Sequence, residues 1–330
     1  MLTKALVLGA TGGTGTVIIA ELLKRGIETV AFGRSIPKLE KLAAKLGNPA
    51  ALKLMAGDVF NTKDILSAAQ DVDVIFHSAS VPYNEMSTRL LPMGEAVMEA
   101  ANKLGIKVVA VDGIYPYGRR QNDKPIDEEH PKNPHTKKGK VKLEFEQMFF
   151  SQRWSKAQRL IVRLPDYYGP TANEASYLGS TLASIAAGKP AVFIGNMTVA
   201  REYVYLPDAA VMIVELAIRD EAYGQNWNIP GAGTISGRDI VRIAQAASGS
   251  KKPVISLGKA GLSLLGVFVP VMKEIVEMLY LTKEPVVLSG GKYERVVGPI
   301  PATPFEQGIT ETVQALKSRQ SRQNKEPGSL

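Results

Sequence analysis

Cysteine is absent from the 330 residues, which excludes disulfides and any thiolate-bound zinc and suits a reducing, cytoplasmic setting. No metal site is expected. No apolar run is long enough to span a bilayer: the longest, Ala260 to Met272, is flanked by Lys259 and Lys273. Met1-Leu2-Thr3-Lys4 leads straight into the first predicted strand, so no signal peptide is expected. Acidic residues are the scarcer charge, 32 against 40 basic, for a formal net charge of +8. Lys317, Arg319, Arg322 and Lys325 face only Glu326 near the end, and Lys137, Lys138, Lys140 and Lys142 form a second basic run. No aromatic-interleaved platform accompanies this charge, so it reads as a solvated face attracting anionic small molecules rather than nucleic acid.

What is present is concentrated at the start. Ala5-Leu6-Val7-Leu8 is an unbroken apolar run, as in a strand buried on both faces. Gly9-Ala10-Thr11-Gly12-Gly13-Thr14-Gly15 follows, then Val17, Ile18, Ile19, Leu22 and Leu23 at helical spacing. In a strand–turn–helix setting, glycines 9, 12 and 15 permit a tight turn, close approach to a pyrophosphate and packing of helix on strand. The amides opening that helix, with its dipole, favour phosphate. Roughly 20 residues on, an acidic residue would suit a ribose 2′-hydroxyl and an arginine a 2′-phosphate. Arg34 stands there, with Lys38 one helical turn further. NADP(H) is therefore the preferred cofactor and NAD(H) the alternative. Further strands are read at Glu28 to Gly33, Ala51 to Met55, Val72 to His77, Ile106 to Val111 and Arg159 to Leu164, with helices between. That alternation predicts an α/β fold with a doubly wound parallel sheet.

The GxxGxxG spacing resembles the short-chain dehydrogenase/reductase superfamily, in the extended and atypical branch of NAD-dependent epimerase/dehydratase-like proteins. The likeness runs over residues 1–317. It implies a Rossmann domain over 1–166 with a return segment near 201–230. A smaller interleaved substrate lobe is implied over 167–200 and 231–317, with a polar, disordered tail over 318–330. Asp58 and Val59 would receive the adenine, or Asp58 would cap the following helix, although Thr62 offers that helix its own cap. Ser78-Ala79-Ser80 would line the ribose and nicotinamide, and His77 reads as a satisfied residue ending a buried strand, with an acid-base role as the alternative. Arg163 to Pro170 and Arg201 to Ala210 match segments that cross between the lobes. Ser80, Tyr83, Tyr167 and Arg201 would face substrate, a surface ion pair being the alternative for Arg201.

The family's Tyr-Gly, acidic and proline-rich loop and Tyr-x-x-x-Lys are matched in part by Tyr117-Gly118, by Pro125 to Pro134, and by Thr136 to Lys140 with Glu144 beyond. Thr136 stands in the tyrosine place and Gly113, beside Asp112, in the serine place. An aliphatic hydroxyl is a far weaker acid than a phenol, so Thr136 cannot match a tyrosine in proton transfer. Tyr115 or Tyr117 could supply the phenol, Asp112 could act through a water if burial raises its pKa, and Lys140 would hold the nicotinamide ribose. The resemblance implies an NADP-dependent oxidoreductase acting on a small carbonyl or hydroxyl compound. Alternatives are a sugar-nucleotide-type epimerase or dehydratase and a non-catalytic NADP(H) redox sensor. Ala260 to Leu281 reads as a helical hairpin of the second lobe or as a surface for ligand or a homodimer partner.

Overall fold

The computed structural model describes residues 2–174, 176–258, 261–262 and 276–325. Seven parallel strands form the main sheet: β1 (Lys4–Leu8), β2 (Glu28–Gly33), β3 (Leu52–Ala56), β4 (Val74–His77), β5 (Lys107–Gly113), β6 (Arg159–Leu164) and, later in the chain, β10 (Gln225–Asn228). Their spatial order is β10-β6-β5-β4-β1-β2-β3. The order reverses between β1 and β4, where a doubly wound sheet opens a crevice at its carboxyl ends.

Helices cover both faces. α1 (Gly13–Lys24), α2 (Ile36–Lys45) and α7 (Leu206–Ala217) bury one side with Val7, Phe76 and Val162. α3 (Thr62–Ala68), α4 (Met86–Leu104) and α5 (Lys137–Phe149) bury the other with Leu6, Ile75 and Ile161. Ala5, Leu6, Val7 and Leu8 are all 0% exposed, which is why that strand shows no polar alternation.

The second lobe is built from separated pieces. Strands β7 (Asp166–Tyr168), β9 (Ala200–Tyr205) and β11 (Thr234–Ser236) form a three-stranded sheet, and β8 (Ala191–Ile194) pairs with β12 (Val254–Leu257). α6 (Gly179–Ala186), α8 (Gly237–Ser248) and the last described helix, α10 (Phe305–Lys325), enclose its core with Tyr168, Phe193 and Tyr203. Ser236 caps α8 by accepting from the Asp239 amide. The short helix α9 (Gly291–Val296) packs Tyr293 onto the first lobe's core.

One expectation changes here. The chain past Lys317 is helical to Lys325 rather than disordered. Its polar side chains dock instead of dissolving: Lys317 donates to the Ser248 carbonyl at 3.0 Å and Gln320 to that of Ala183 at 3.2 Å. The apolar hairpin expected over 260–281 falls mostly outside the described residues; its end, Leu279–Thr282, is a 3₁₀ turn. No helix among the described residues is long and apolar enough to cross a membrane.

Candidate active site

The glycine loop is fixed by backbone contacts that leave no room for side chains. Gly9 has φ +78°, and a Cβ there would lie 2.7 Å from the Ala79 backbone. A Cβ on Gly15 would lie 2.4 Å from the Gly9 carbonyl oxygen. The Gly12 amide closes the turn onto that same oxygen at 2.9 Å. Gly12 is also the N-cap of α1 and brings no capping side chain, so the amides of the helix's first turn, including Gly13, Thr14 and Gly15, keep their donors for a ligand. Thr11 is exposed and Thr14 half-buried on the loop's rim. From β4, the Ser78 hydroxyl donates to the Leu8 carbonyl at 2.7 Å, so it ties the cradle together instead of facing a ligand. Ala79 is the cradle's floor and Ser80 is exposed beyond it.

Arg34, at the end of β2, and Lys38, on α2, are exposed, and neither is ion-paired among the described residues. Asp58 does not cap α3, and Thr62 does not serve as its own cap: Asn61 does so, accepting from the Lys63 amide. Asp58 Oδ1 accepts from the Phe60 amide at 3.0 Å, and its exposed carboxylate stands beside half-buried Val59. The glycine loop, Arg34, Lys38, Asp58 and Val59 thus follow the carboxyl ends of β1, β2 and β3, neighbours in the sheet.

The other half of the site differs from the sequence reading in helix phase. Lys140 is exposed on the outer face of α5, as is Glu144. The inward positions four apart are Lys138 and Lys142, on the buried stripe that continues to Phe145 and Phe149. The 4-3-4 spacing of those residues was the available sign. Thr136 is the N-cap of α5, its hydroxyl accepting from the Gly139 amide at 3.0 Å, so it is committed to the helix rather than to proton transfer.

Lys142 reaches Asp112 Oδ1 at 2.5 Å. The β5–β6 register sets Asp112 opposite Arg163, whose Nη1 meets Asp112 Oδ2 at 2.9 Å. Arg163 is wholly buried and also binds Glu146 Oε2 at 2.6 Å; Glu146 in turn pairs with Lys132. Burial pushes the Asp112 carboxyl up, but Lys142 and Arg163 outweigh it and hold the group below the usual carboxylate range. Asp112 is therefore a fixed anion, not the raised carboxylic acid envisaged from sequence. His77 is buried beside this network, and its Nδ1 has no partner, so the ring is not satisfied as expected. Burial, then the Lys142 charge, lowers its pKa to about 4, which leaves the imidazole neutral.

The two candidate phenols part ways. Tyr117 is fully buried and donates to Asn228 Oδ1 at 2.7 Å, a contact that joins the loop to β10. Tyr115, in the turn after β5, hydrogen-bonds hydroxyl to hydroxyl with Tyr83, in the turn after β4, at 2.5 Å. Burial pushes Tyr115 well above the ordinary phenol value and Tyr83 up to about 12. Asp166 and Arg201 act on Tyr115 electrostatically, and Asp166 and Tyr167 on Tyr83. Arg201 pairs with Asp166 in the interior, between the rings of Tyr177 and Tyr203, rather than on the surface, and its Nη1 is buried without a partner. Tyr83, Tyr115, Tyr167 and Arg201 are thus gathered around Asp166, while Ser80 stands apart on the cradle's rim. Lys138, Lys142, Arg163 and Glu146 are the site's side chains that the sequence reading passed over. No group of three or more His, Asp or Glu among the described residues could hold a metal ion.

Comparison with known proteins finds relatives in sequence and in fold. An uncharacterized UDP-glucose epimerase of Bacillus subtilis, YtcB, is 24% identical over 264 residues, covering 75% of this chain and 83% of that protein. Dehydrogenase/reductase SDR family member 11 of Homo sapiens is 38% identical over 66 residues, 19% of this chain and 25% of that one. The dTDP-glucose 4,6-dehydratase of Bacillus anthracis, in complex with NAD, has the same fold with a TM-score of 0.79 at 17% identity, over 97% of this chain and 98% of that one. The UDP-glucuronic acid 4-epimerase of Bacillus cereus, in complex with NAD, gives 0.78 at 19% identity, over 96% and 99%. A family model matches residues 5–229, two thirds of the chain and all seven strands of the main sheet, and by that match the chain belongs to the NAD dependent epimerase/dehydratase family.

Proposed function

We propose that the chain is an NADP(H)-using enzyme that interconverts a secondary hydroxyl and a carbonyl on a sugar-nucleotide-type substrate, in an epimerase- or dehydratase-like cycle. The observation that carries it is the Tyr83–Tyr115 phenol pair at the carboxyl ends of β4 and β5, on the same edge as a glycine cradle that admits no Cβ. The first-turn amides of α1 would hold the pyrophosphate, Arg34 and Lys38 the 2′-phosphate, and Asp58 with Val59 the adenine. Lys142 would take the ribose role that the sequence assigned to Lys140. The nicotinamide, when bound, accepts and returns the hydride.

Tyr115 moves the proton. Its raised pKa keeps it protonated at neutral pH, ready to donate to an oxygen gaining negative charge. Taking the proton back requires a stabilised phenolate. The positive charge of Arg201 favours that phenolate, against burial and the Tyr83 contact, which raise the pKa. Asp112 orients Lys142 and carries no proton. A net oxidoreductase working on a small carbonyl compound uses the same groups; it differs in consuming cofactor.

The test incubates the purified protein with NADP(H) and UDP- and dTDP-sugars, following cofactor absorbance and product stereochemistry by NMR. An altered sugar without net cofactor consumption is expected, and Tyr115→Phe should lower turnover by about 10²–10⁴-fold with cofactor affinity kept. Stoichiometric cofactor oxidation would select the net oxidoreductase. Full activity of Tyr115→Phe would remove the phenol from the mechanism.

A further inference from the structure

Helix α10 lies wholly outside the stretch that the family model matches, yet its Arg319 reaches the turn that packs on the glycine cradle. Ile309 and Val313 bury its inner face in the second lobe. Gly308 lets it approach β7 so closely that a Cβ there would lie 2.8 Å from the Tyr168 hydroxyl. The Tyr205 hydroxyl donates to Glu311 Oε2 at 2.5 Å. Past this anchored portion, the Arg319 guanidinium donates to the Pro170 carbonyl. Arg319 is half-buried and has no carboxylate partner among the described residues; burial alone lowers its pKa. A cation buried against a single carbonyl costs desolvation that no ion pair offsets.

Pro170 belongs to the turn that follows β7, closed by the Ala172 amide donating to the Gly169 carbonyl at 3.0 Å. This turn lies directly on the cradle. The Thr171 hydroxyl donates to the Gly13 carbonyl at 2.8 Å, and a Cβ on Gly13 would lie 3.0 Å from the Thr171 carbonyl oxygen. The Gly13 carbonyl and the Thr14 N–H belong to one planar peptide unit. Fixing that oxygen therefore fixes the direction of the Thr14 N–H, one of the open donors in the first turn of α1.

We propose that Arg319 is a positioning residue for the dinucleotide: by holding the Pro170 carbonyl it sets the turn through which Thr171 aims the first-turn amides of α1 at the pyrophosphate. The proposal rests on the dinucleotide-binding reading. It makes cofactor affinity depend on a side chain more than 300 residues further along the chain than the glycines it serves.

The experiment compares two probes on the full chain. NADPH carries the pyrophosphate; adenosine 2′-monophosphate has the adenine and 2′-phosphate without it. Dissociation constants are measured by calorimetry for wild type, Arg319→Ala, Arg319→Lys, Thr171→Val and the Arg319→Ala/Thr171→Val pair. Arg319→Ala should weaken NADPH roughly threefold to tenfold, the net scale of one ordinary hydrogen bond, and leave the adenosine monophosphate within about twofold. Arg319→Lys should recover most of the loss. Thr171→Val should reproduce it, and the pair should be no worse than the worse single variant, because both act through one contact path. Unchanged NADPH affinity in both single variants, or an equal loss for both probes, would overturn the proposal. So would additive losses in the pair. A wild type that binds neither probe would overturn the dinucleotide reading itself, a result distinct from a wild type that binds NADPH and is indifferent to Arg319.

Discussion

The glycine edge and the tyrosine edge of this crevice are built by different means. Around Gly9, Gly12 and Gly15 the shape is made by backbone, and what matters is which residues lack a Cβ. Around Tyr115 the shape is made by side chains, and what matters is which face of a helix or strand each one takes. A backbone-made site can be read from residue type and spacing. A side-chain-made site depends on rotation: two residues along α5 separate an exposed Lys140 from a Lys142 that reaches Asp112. The second kind also concentrates charge. Asp112, Arg163 and Glu146 are buried together, and each is bearable only because the others are there.

The largest effect outside catalysis should come from cutting that charge network. Arg163→Met leaves Asp112 and Glu146 without their shared partner and should cost about 3–5 kcal/mol of stability by chemical denaturation. A loss under about 1 kcal/mol would show that Lys142 and Lys132 suffice alone.

A contrast between two buried carboxylates sharpens the point. Asp112 has cations and is held low; Glu202 has none among the described residues, accepts the Gly231 and Leu288 amides at 3.0 and 2.8 Å, and burial raises it to about 7. The folded chain then binds its proton more tightly than the unfolded chain. Its contribution is fully present below pH 4.5 and is lost as pH rises through about 7. Across that window the loss is about 3 kcal/mol, from roughly 1.4 kcal/mol per unit. Glu202→Gln should flatten this part of the stability–pH curve in melts between pH 5 and 8. The same slope in both proteins would place the titrating group elsewhere.

On the glycine edge the effects should be smaller. Arg34→Ala should weaken NADPH by about 1.5–3 kcal/mol and leave NADH nearly unchanged. Equal losses for the two, or a wild type preferring NADH, would take the 2′-phosphate away from Arg34. The smallest effect belongs to Lys140→Ala, which should leave cofactor affinity within about twofold, while Lys142→Ala should weaken it roughly tenfold or more. A reversed ranking would return the ribose role to Lys140 and undo the helix phase assigned here.

The sequence by itself determined the parallel sheet, the glycine cradle and the cationic end of β2. Those follow from short-range causes: apolar runs buried on both faces, a backbone angle that only glycine adopts freely, and the fixed offset between a strand and its helix. It also left Tyr115 and Tyr117 side by side as equivalent phenols. Only the tertiary structure separated them, sending Tyr117 to Asn228 on the sheet's edge strand and Tyr115 to Tyr83, 32 residues earlier in the chain. Likewise only the fold brought Arg163 opposite Asp112, put Arg201 inside with Asp166, and set Arg319 against the Pro170 carbonyl. Each of these depends on strand order, register or helix phase. Such long-range quantities are fixed when the cores on both faces of the sheet close, and no local pattern encodes them.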